Sequence, residues 1–205
     1  MRKGGKTMKL LLITLIFFSF IAFGQPTMQT VTAEKLKEYY AKSTAGKDSL
    51  KYQKLFFENF PDNFKDFNTI FGWLDNDNKV KAHGGPLYDG HNEIVLLFRL
   101  KTISPKDFYQ KIINIAVGGH WDADAINYFQ NGLRDKVFKN PQLTFDLLKS
   151  KSDPDIRSFW FFFYQSVHPV YKAIPDALVK MKSYNVKIYT IMEQGLKDAL
   201  SKSGH

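Results

Sequence analysis

The sequence predicts an all-α protein, an irregular multi-helix bundle or array of about eight to ten helices around a central aromatic helix. Apolar residues recur at every third or fourth position through most of the chain, which is the period of an amphipathic helix. Ser, Asp, Asn and Pro stand where these stretches begin, and Gly or Pro where they end. Because 16% of the residues are aromatic, bulky rings must fill much of the core.

Residues 1–24 are typical of a secretory signal peptide. Basic residues without any acid precede an apolar run over residues 10–23, and Ala22 and Gly24 supply small side chains at its end. The run is about 14 residues long, shorter than the roughly 20 that a membrane-spanning helix needs. We therefore expect cleavage near Gly24 in preference to anchoring. The product would be a periplasmic or secreted protein with a single helical domain over residues 25–205 and no membrane span.

Composition narrows the function classes. The chain contains no cysteine, which excludes disulfides, thiolate nucleophiles and zinc or iron sites with thiolate ligands. Its net charge is +9, but part of that charge lies in the predicted leader and the acids are spread along the rest. Without a block of Lys and Arg, nucleic acid is not an expected partner.

The first three predicted helices are short. Amphipathic patterns predict helices over residues 33–43 and 49–60, with Pro61 stopping the second. A third helix is expected to be capped by Asp62 and to end at Gly72.

Residues 73–92 interrupt the helical pattern with turn-forming dipeptides, and long loops of this kind are often functional. The apolar run over residues 94–100 fits a buried helix or a buried strand by its pattern alone. We expect a helix there, because no partner strand is visible elsewhere and a lone strand leaves its backbone groups unpaired.

The second half of the chain has clear helix boundaries. Ser104, followed by Pro and an acid, predicts one helix start, and further helices are expected to begin near Asp122 and at Asn140. Residues 156–165 are apolar nearly all round, so this helix should lie at the centre with the others packed around it. A last amphipathic helix is predicted over residues 186–202.

The loop at residues 83–93 offers His83, His91 and Glu93 as nitrogen and oxygen ligands for a metal ion. Their spacing does not match the H-E-x-x-H pattern, in which two histidines share one helical face. A polar surface loop in which His91 or Asn92 caps the next helix accounts for the same residues. No metal ligand is therefore assigned.

A second cluster lies between two predicted helices. Gly118 and Gly119 permit a left-handed turn, and the following Asp residues suit a helix start. A functional interpretation pairs His120 with Asp122 or Asp124 for acid–base chemistry, or presents Trp121 to a partner. The candidate partner-binding residues of the whole chain are Trp121, Asp122, Asp124, His83 and Tyr88.

Several short motifs together resemble a group of small exported helical proteins of Gram-negative bacteria. They follow the signal peptide and span residues 50–170: Phe60-Pro61 with Phe64 and Phe67, Pro86-Leu87-Tyr88, Trp121-Asp122-Ala123-Asp124-Ala125, Ser158-Phe159-Trp160 and His168-Pro169. The group has no established activity. Its association with immunity against the toxins of neighbouring cells implies a binding protein and assigns no residue a role.

The leading functional hypothesis is an exported protein that binds a protein partner, in the finer form an immunity-type toxin inhibitor. No phosphate-binding, nucleotide-binding or nucleophile motif is present, so no cofactor and no catalytic residue is assigned. The first alternative is a metal-assisted or acid–base hydrolase that combines one or more of His83, His91 and His120 with Asp122, Asp124 or Glu93. The second alternative is a structural component of the cell envelope, for which a large exposed apolar patch is expected.

Overall fold

The computed structural model describes residues 28–45, 47–75 and 81–202. This part of the chain forms eleven helical segments and one short hairpin, which confirms the predicted all-α array. The predicted signal peptide over residues 1–24 lies outside the described residues. The elements are α1 Met28–Thr44, α2 Ser49–Asn59, α3 Phe64–Phe71, β1 Trp73–Leu74, β2 His83–Gly84, α4 His91–Arg99, α5 Pro105–Ala116, α6 Asp124–Lys139, α7 Pro141–Leu148, α8 Asp153–Tyr164, α9 Asp176–Val179, α10 Met181–Tyr184 and α11 Val186–Lys202. Within the described ranges, no helix combines the length and apolarity needed to cross a membrane.

The loop predicted over residues 73–92 contains an antiparallel hairpin that the sequence pattern did not reveal. Trp73 pairs with Gly84 and Leu74 with His83. Strands of two residues are too short to show the alternation that identifies a strand, which is why the pattern missed them. The helix predicted over residues 94–100 is confirmed as part of α4.

Helix starts follow the predicted capping chemistry at Ser104 and Asn140, and Ser152 caps α8 in the same way. The side chains of Ser104, Asn140 and Ser152 each accept a hydrogen bond from the backbone N–H three residues later, at the beginning of α5, α7 and α8. A proline stands in the first turn of each of these helices, where its missing N–H costs nothing. Helix α4 differs from the expectation, because it begins after Gly90 with no side-chain cap from His91 or Asn92.

The N-cap of α3 lies one residue after the predicted position, so that prediction was wrong. Asn63, not Asp62, accepts the hydrogen bond from the Asp66 N–H, at 2.9 Å. Asp62 instead pairs with the buried Lys111, whose Nζ lies 2.6 Å from Oδ1 and also donates to the Phe60 carbonyl. A buried ammonium needs such partners, and no local sequence pattern reveals this long-range pairing.

Helix α8 is the buried centre of the described structure, as predicted. Phe159, Trp160, Phe162 and Phe163 are fully buried. Helix α11 packs closely against it, since a Cβ atom added at Gly195 would lie 2.6 Å from the Trp160 Cβ. Aromatic neighbours surround the Trp160 ring at centroid distances of 4.9 to 6.1 Å.

Two polar side chains of α6 bind the carbonyls at the end of α8 that have no partner within that helix. Gln130 Nε2 donates to the carbonyls of Phe162 and Gln165, the second at 2.6 Å. Arg134 donates from Nε to the Phe163 carbonyl at 2.8 Å and from Nη2 to the Gln165 carbonyl at 3.2 Å. The last carbonyls of a helix have no partner within it, so these bonds fix α6 against the end of α8.

Candidate functional site

The hairpin and the beginning of α6 bring three of the predicted candidates together. The Trp73 N–H donates to Asp122 Oδ2 at 2.7 Å, which ties β1 to the segment before α6. The carboxylate of Asp124 lies close enough to the Tyr88 hydroxyl to raise the pKa of that phenol. The rings of Trp73 and Tyr88 meet edge to face, with centroids 5.5 Å apart. The result is one connected cluster of two rings and two carboxylates.

The Tyr88 phenol is held in its neutral form. Burial, the hydrogen bond to Asp124 and the negative charges of Asp124, Asp122 and Asp89 raise the pKa of Tyr88 to about 12. At neutral pH this hydroxyl is therefore a hydrogen-bond donor and not a base.

Asp122 and Asp124 do not cap α6 in the way the sequence predicts. Helix α6 begins at Asp124, and its N-cap residue Ala123 makes no side-chain hydrogen bond. Asp122 Oδ1 accepts from the Ala123 N–H at 2.7 Å, while its other oxygen binds the hairpin. Asp124 has φ of 49°, the one positive φ among the described residues other than glycine. This backbone costs about 1 to 2 kcal/mol for a residue with a side chain, so the neighbouring contacts must hold it in place.

The cluster continues as an exposed surface along α6. Tyr128 lies one turn after Asp124 on the same side of the helix, and 47% of Tyr128 is exposed. The His91 ring packs on it with a centroid distance of 5.4 Å. Trp73 is 44% exposed at the other end. We name the surface formed by Trp73, Tyr88, Asp122, Asp124 and Tyr128 the acidic–aromatic face.

Sequence reasoning did not single out Trp73 or Tyr128 among these five residues. In α6 the residues Ile126 and Phe129 are buried, and Tyr128 falls outside the side of the helix that they occupy. The period of apolar residues in the sequence could therefore have placed Tyr128 on the polar side. Trp73 gave no such signal, because its exposure depends on the unpredicted hairpin.

The remaining candidates lie apart from the centre of the face. Trp121 is half-buried, and its backbone N–H donates to Gln165 Oε1 at 2.7 Å. This bond joins the segment before α6 to the end of α8. His83 is exposed on β2, with Nδ1 2.9 Å from the Lys81 carbonyl oxygen. It therefore borders the face, since a Cβ atom at the next residue, Gly84, would touch the Tyr88 ring.

The described structure does not bring the three candidate histidines together. The His120 ring packs edge-on against Phe64 at 4.7 Å, His91 lies on Tyr128, and His83 contacts backbone. Within residues 28–45, 47–75 and 81–202, no group of three or more His, Asp or Glu side chains is placed to hold a metal ion. The arrangement therefore lends no support to the metal-assisted hydrolase alternative.

Comparison of the chain with known proteins finds no matching protein family, no similar characterised protein and no similar solved structure. The functional conclusion accordingly rests on the residues of this chain.

Proposed function

We propose that this protein is exported and binds another protein through the acidic–aromatic face. The observation that supports this most strongly is the exposure of two rings, Trp73 and Tyr128, on the surface that also holds Tyr88 and Asp124. Trp and Tyr are the residues most enriched among those that dominate the energy of protein interfaces. Two of them on one surface next to a rigid hydrogen-bonded centre suit a binding site.

The charge of the face selects the chemistry of the partner. Asp89, Asp122 and Asp124 place negative charge around the Tyr88 ring, although the chain as a whole is basic. Carboxylates retain acceptor capacity after one hydrogen bond, and the faces of Trp and Tyr rings attract ammonium and guanidinium groups. The partner is therefore a protein that presents Lys or Arg side chains, and the basic remainder of the chain orients it towards this face.

The face is organised before binding. Both oxygens of Asp122 are engaged by backbone N–H groups of Trp73 and Ala123. Side chains already fixed in the free protein lose little conformational entropy on association, so more of the contact energy appears as affinity.

The finer form of the proposal is an immunity-type inhibitor, whose partner is a toxin enzyme that binding blocks. Its support is the signal-peptide pattern of residues 1–24 and the resemblance to exported helical proteins associated with immunity. The periplasm is then the place of action.

The proposal is tested by capture from periplasmic extract with the mature chain immobilised at micromolar concentration. Trp73→Ala/Tyr128→Ala is the test variant, and Tyr184→Ala, which truncates an exposed ring on α10, is the control. We expect the wild type and the control to retain one basic protein that the double variant loses. Equal capture by all three folded proteins, or no capture by any, would contradict the proposal.

A further inference from the structure

A cleft between α5 and the last turn of α6 lies outside the proposed protein-binding face. Its walls are apolar and its rim is cationic, and its volume is about 300 Å³. That volume is at the lower end of the roughly 300 to 1,000 Å³ of small-molecule sites. The lining residues are Leu100, Ile103, Pro105, Phe108, Tyr109, Lys136, Lys139 and Asn140.

The rim holds two ammonium groups on one turn of α6. Lys136 lies over the Phe108 ring, with Nζ 5.0 Å from the centroid. Partial burial and the charge of Lys139 lower the pKa of Lys136, an effect that Asp135 partly offsets. Among the ion pairs of residues 81–202, none includes Lys136 or Lys139. The two cations therefore face the cleft without a bound carboxylate to neutralise them.

We propose that this cleft binds a single-chain amphipathic carboxylate of the medium-chain fatty-acid class. The alkyl chain lies against Leu100, Ile103 and Phe108, which removes apolar surface of both partners from water. The carboxylate lies between Lys136 and Lys139, where one anion relieves the repulsion of two cations. A cationic amphiphile of the same length would meet that repulsion and is excluded.

The site is independent of the acidic–aromatic face. Lys136 is eight residues after Tyr128 on α6, which places it about 12 Å further along the helix axis. The neighbouring cleft between α4 and α6 shares Lys136 and Lys139 and adds Arg99 and Asp135, so the two clefts are told apart by which apolar side chains the ligand touches. Lysines in a last turn also complement the helix dipole, and a ligand titration separates that structural role from binding.

The test is calorimetric titration of the mature chain with octanoate, octan-1-ol and octyltrimethylammonium at pH 7. We expect saturable octanoate binding, about fivefold weaker in Lys136→Gln/Lys139→Gln because two partly exposed ion pairs are lost. Lys65→Gln/Lys172→Gln removes the same charge from exposed sites elsewhere and should bind octanoate like the wild type. The alcohol and the ammonium compound should bind more weakly than octanoate.

Methyl NMR of the unaltered protein locates the site without any variant. Octanoate should shift the methyl signals of Ile103 and Leu100 and leave that of Val95, in the neighbouring cleft, in place. The proposal is overturned by octanoate binding that the control pair weakens as much as the test pair, by equal affinity for the cationic amphiphile, or by shifts elsewhere. Absence of saturation up to millimolar octanoate overturns it as well. That conclusion holds even if the protein sediments with phosphatidylglycerol vesicles, because membrane binding would not need this cleft.

Discussion

Replacing Arg134 by Met should destabilise the protein by about 3 kcal/mol. Arg134 is only 7% exposed, and its guanidinium donates to the carbonyls of Phe163 and Gln165. Truncation leaves the Phe163 carbonyl buried without this donor, which costs about 1 to 3 kcal/mol. Loss of a cation at the end of α8 and of the contact with the Tyr171 ring adds about 1 to 2 kcal/mol. Burial lowers the pKa of Arg134, and removal of that desolvation cost offsets part of the loss.

The assay is urea and thermal unfolding followed by circular dichroism. For a chain of this length a loss of about 3 kcal/mol lowers the Tm by about 6 to 12 °C. Arg157→Met is the matched control, because Arg157 lies on α8 itself and forms a half-exposed bidentate pair with Asp198 that does not involve the end of the helix. Because solvent screens that pair, its loss should have little effect on stability. If Arg134→Met is no more destabilising than Arg157→Met, the hydrogen bonds from α6 to the last carbonyls of α8 contribute little to stability.

Two further predictions concern packing and pH. Gly195→Ala should lower the free energy of unfolding in urea by about 2 kcal/mol, because the overlap with the Trp160 Cβ outweighs the gain in helix propensity. A more stable variant would contradict the close packing of α11 on α8. Tyr88→Phe removes the phenol that interacts with Asp124 and should cost at most about 1 kcal/mol at pH 7, because solvent screens part of the interaction. Since the folded pKa of Tyr88 is raised from 10.0 to about 12, the contribution of its neutral phenol is complete below pH 10 and is lost between pH 10 and 12. The stability difference between wild type and Tyr88→Phe should therefore shrink across that window in urea titrations, and a constant difference would refute the assignment.

The features that could be predicted from the sequence are those that depend on residues close together in the chain. The period of apolar side chains identified α8 as a central helix, and Trp160 is fully buried there. Ser104 and Asn140 were recognised as caps because the capping side chain and the N–H that donates to it lie three residues apart in the chain.

The features that it missed depend on partners distant in the chain. Asp122 fits a helix start by its position, yet its carboxylate binds the Trp73 N–H, 49 residues earlier in the sequence. Asp62 was predicted as a cap but pairs with Lys111, which no local pattern reveals. Of the candidate residues, Tyr88, Asp122 and Asp124 lie together in the structure, but the geometry that joins them requires the hairpin.

The immunity-type role and the site of action stay predictions, whereas the acidic–aromatic face can be examined in living cells. The most direct measurement places a photo-reactive phenylalanine analogue at Tyr128 and, as a control, at the exposed Tyr184 on α10. The account predicts one cross-linked protein from position 128, which disappears when Asp122→Asn/Asp124→Asn is added, and no adduct from position 184. No adduct from position 128, or the same adduct from both positions, would contradict it.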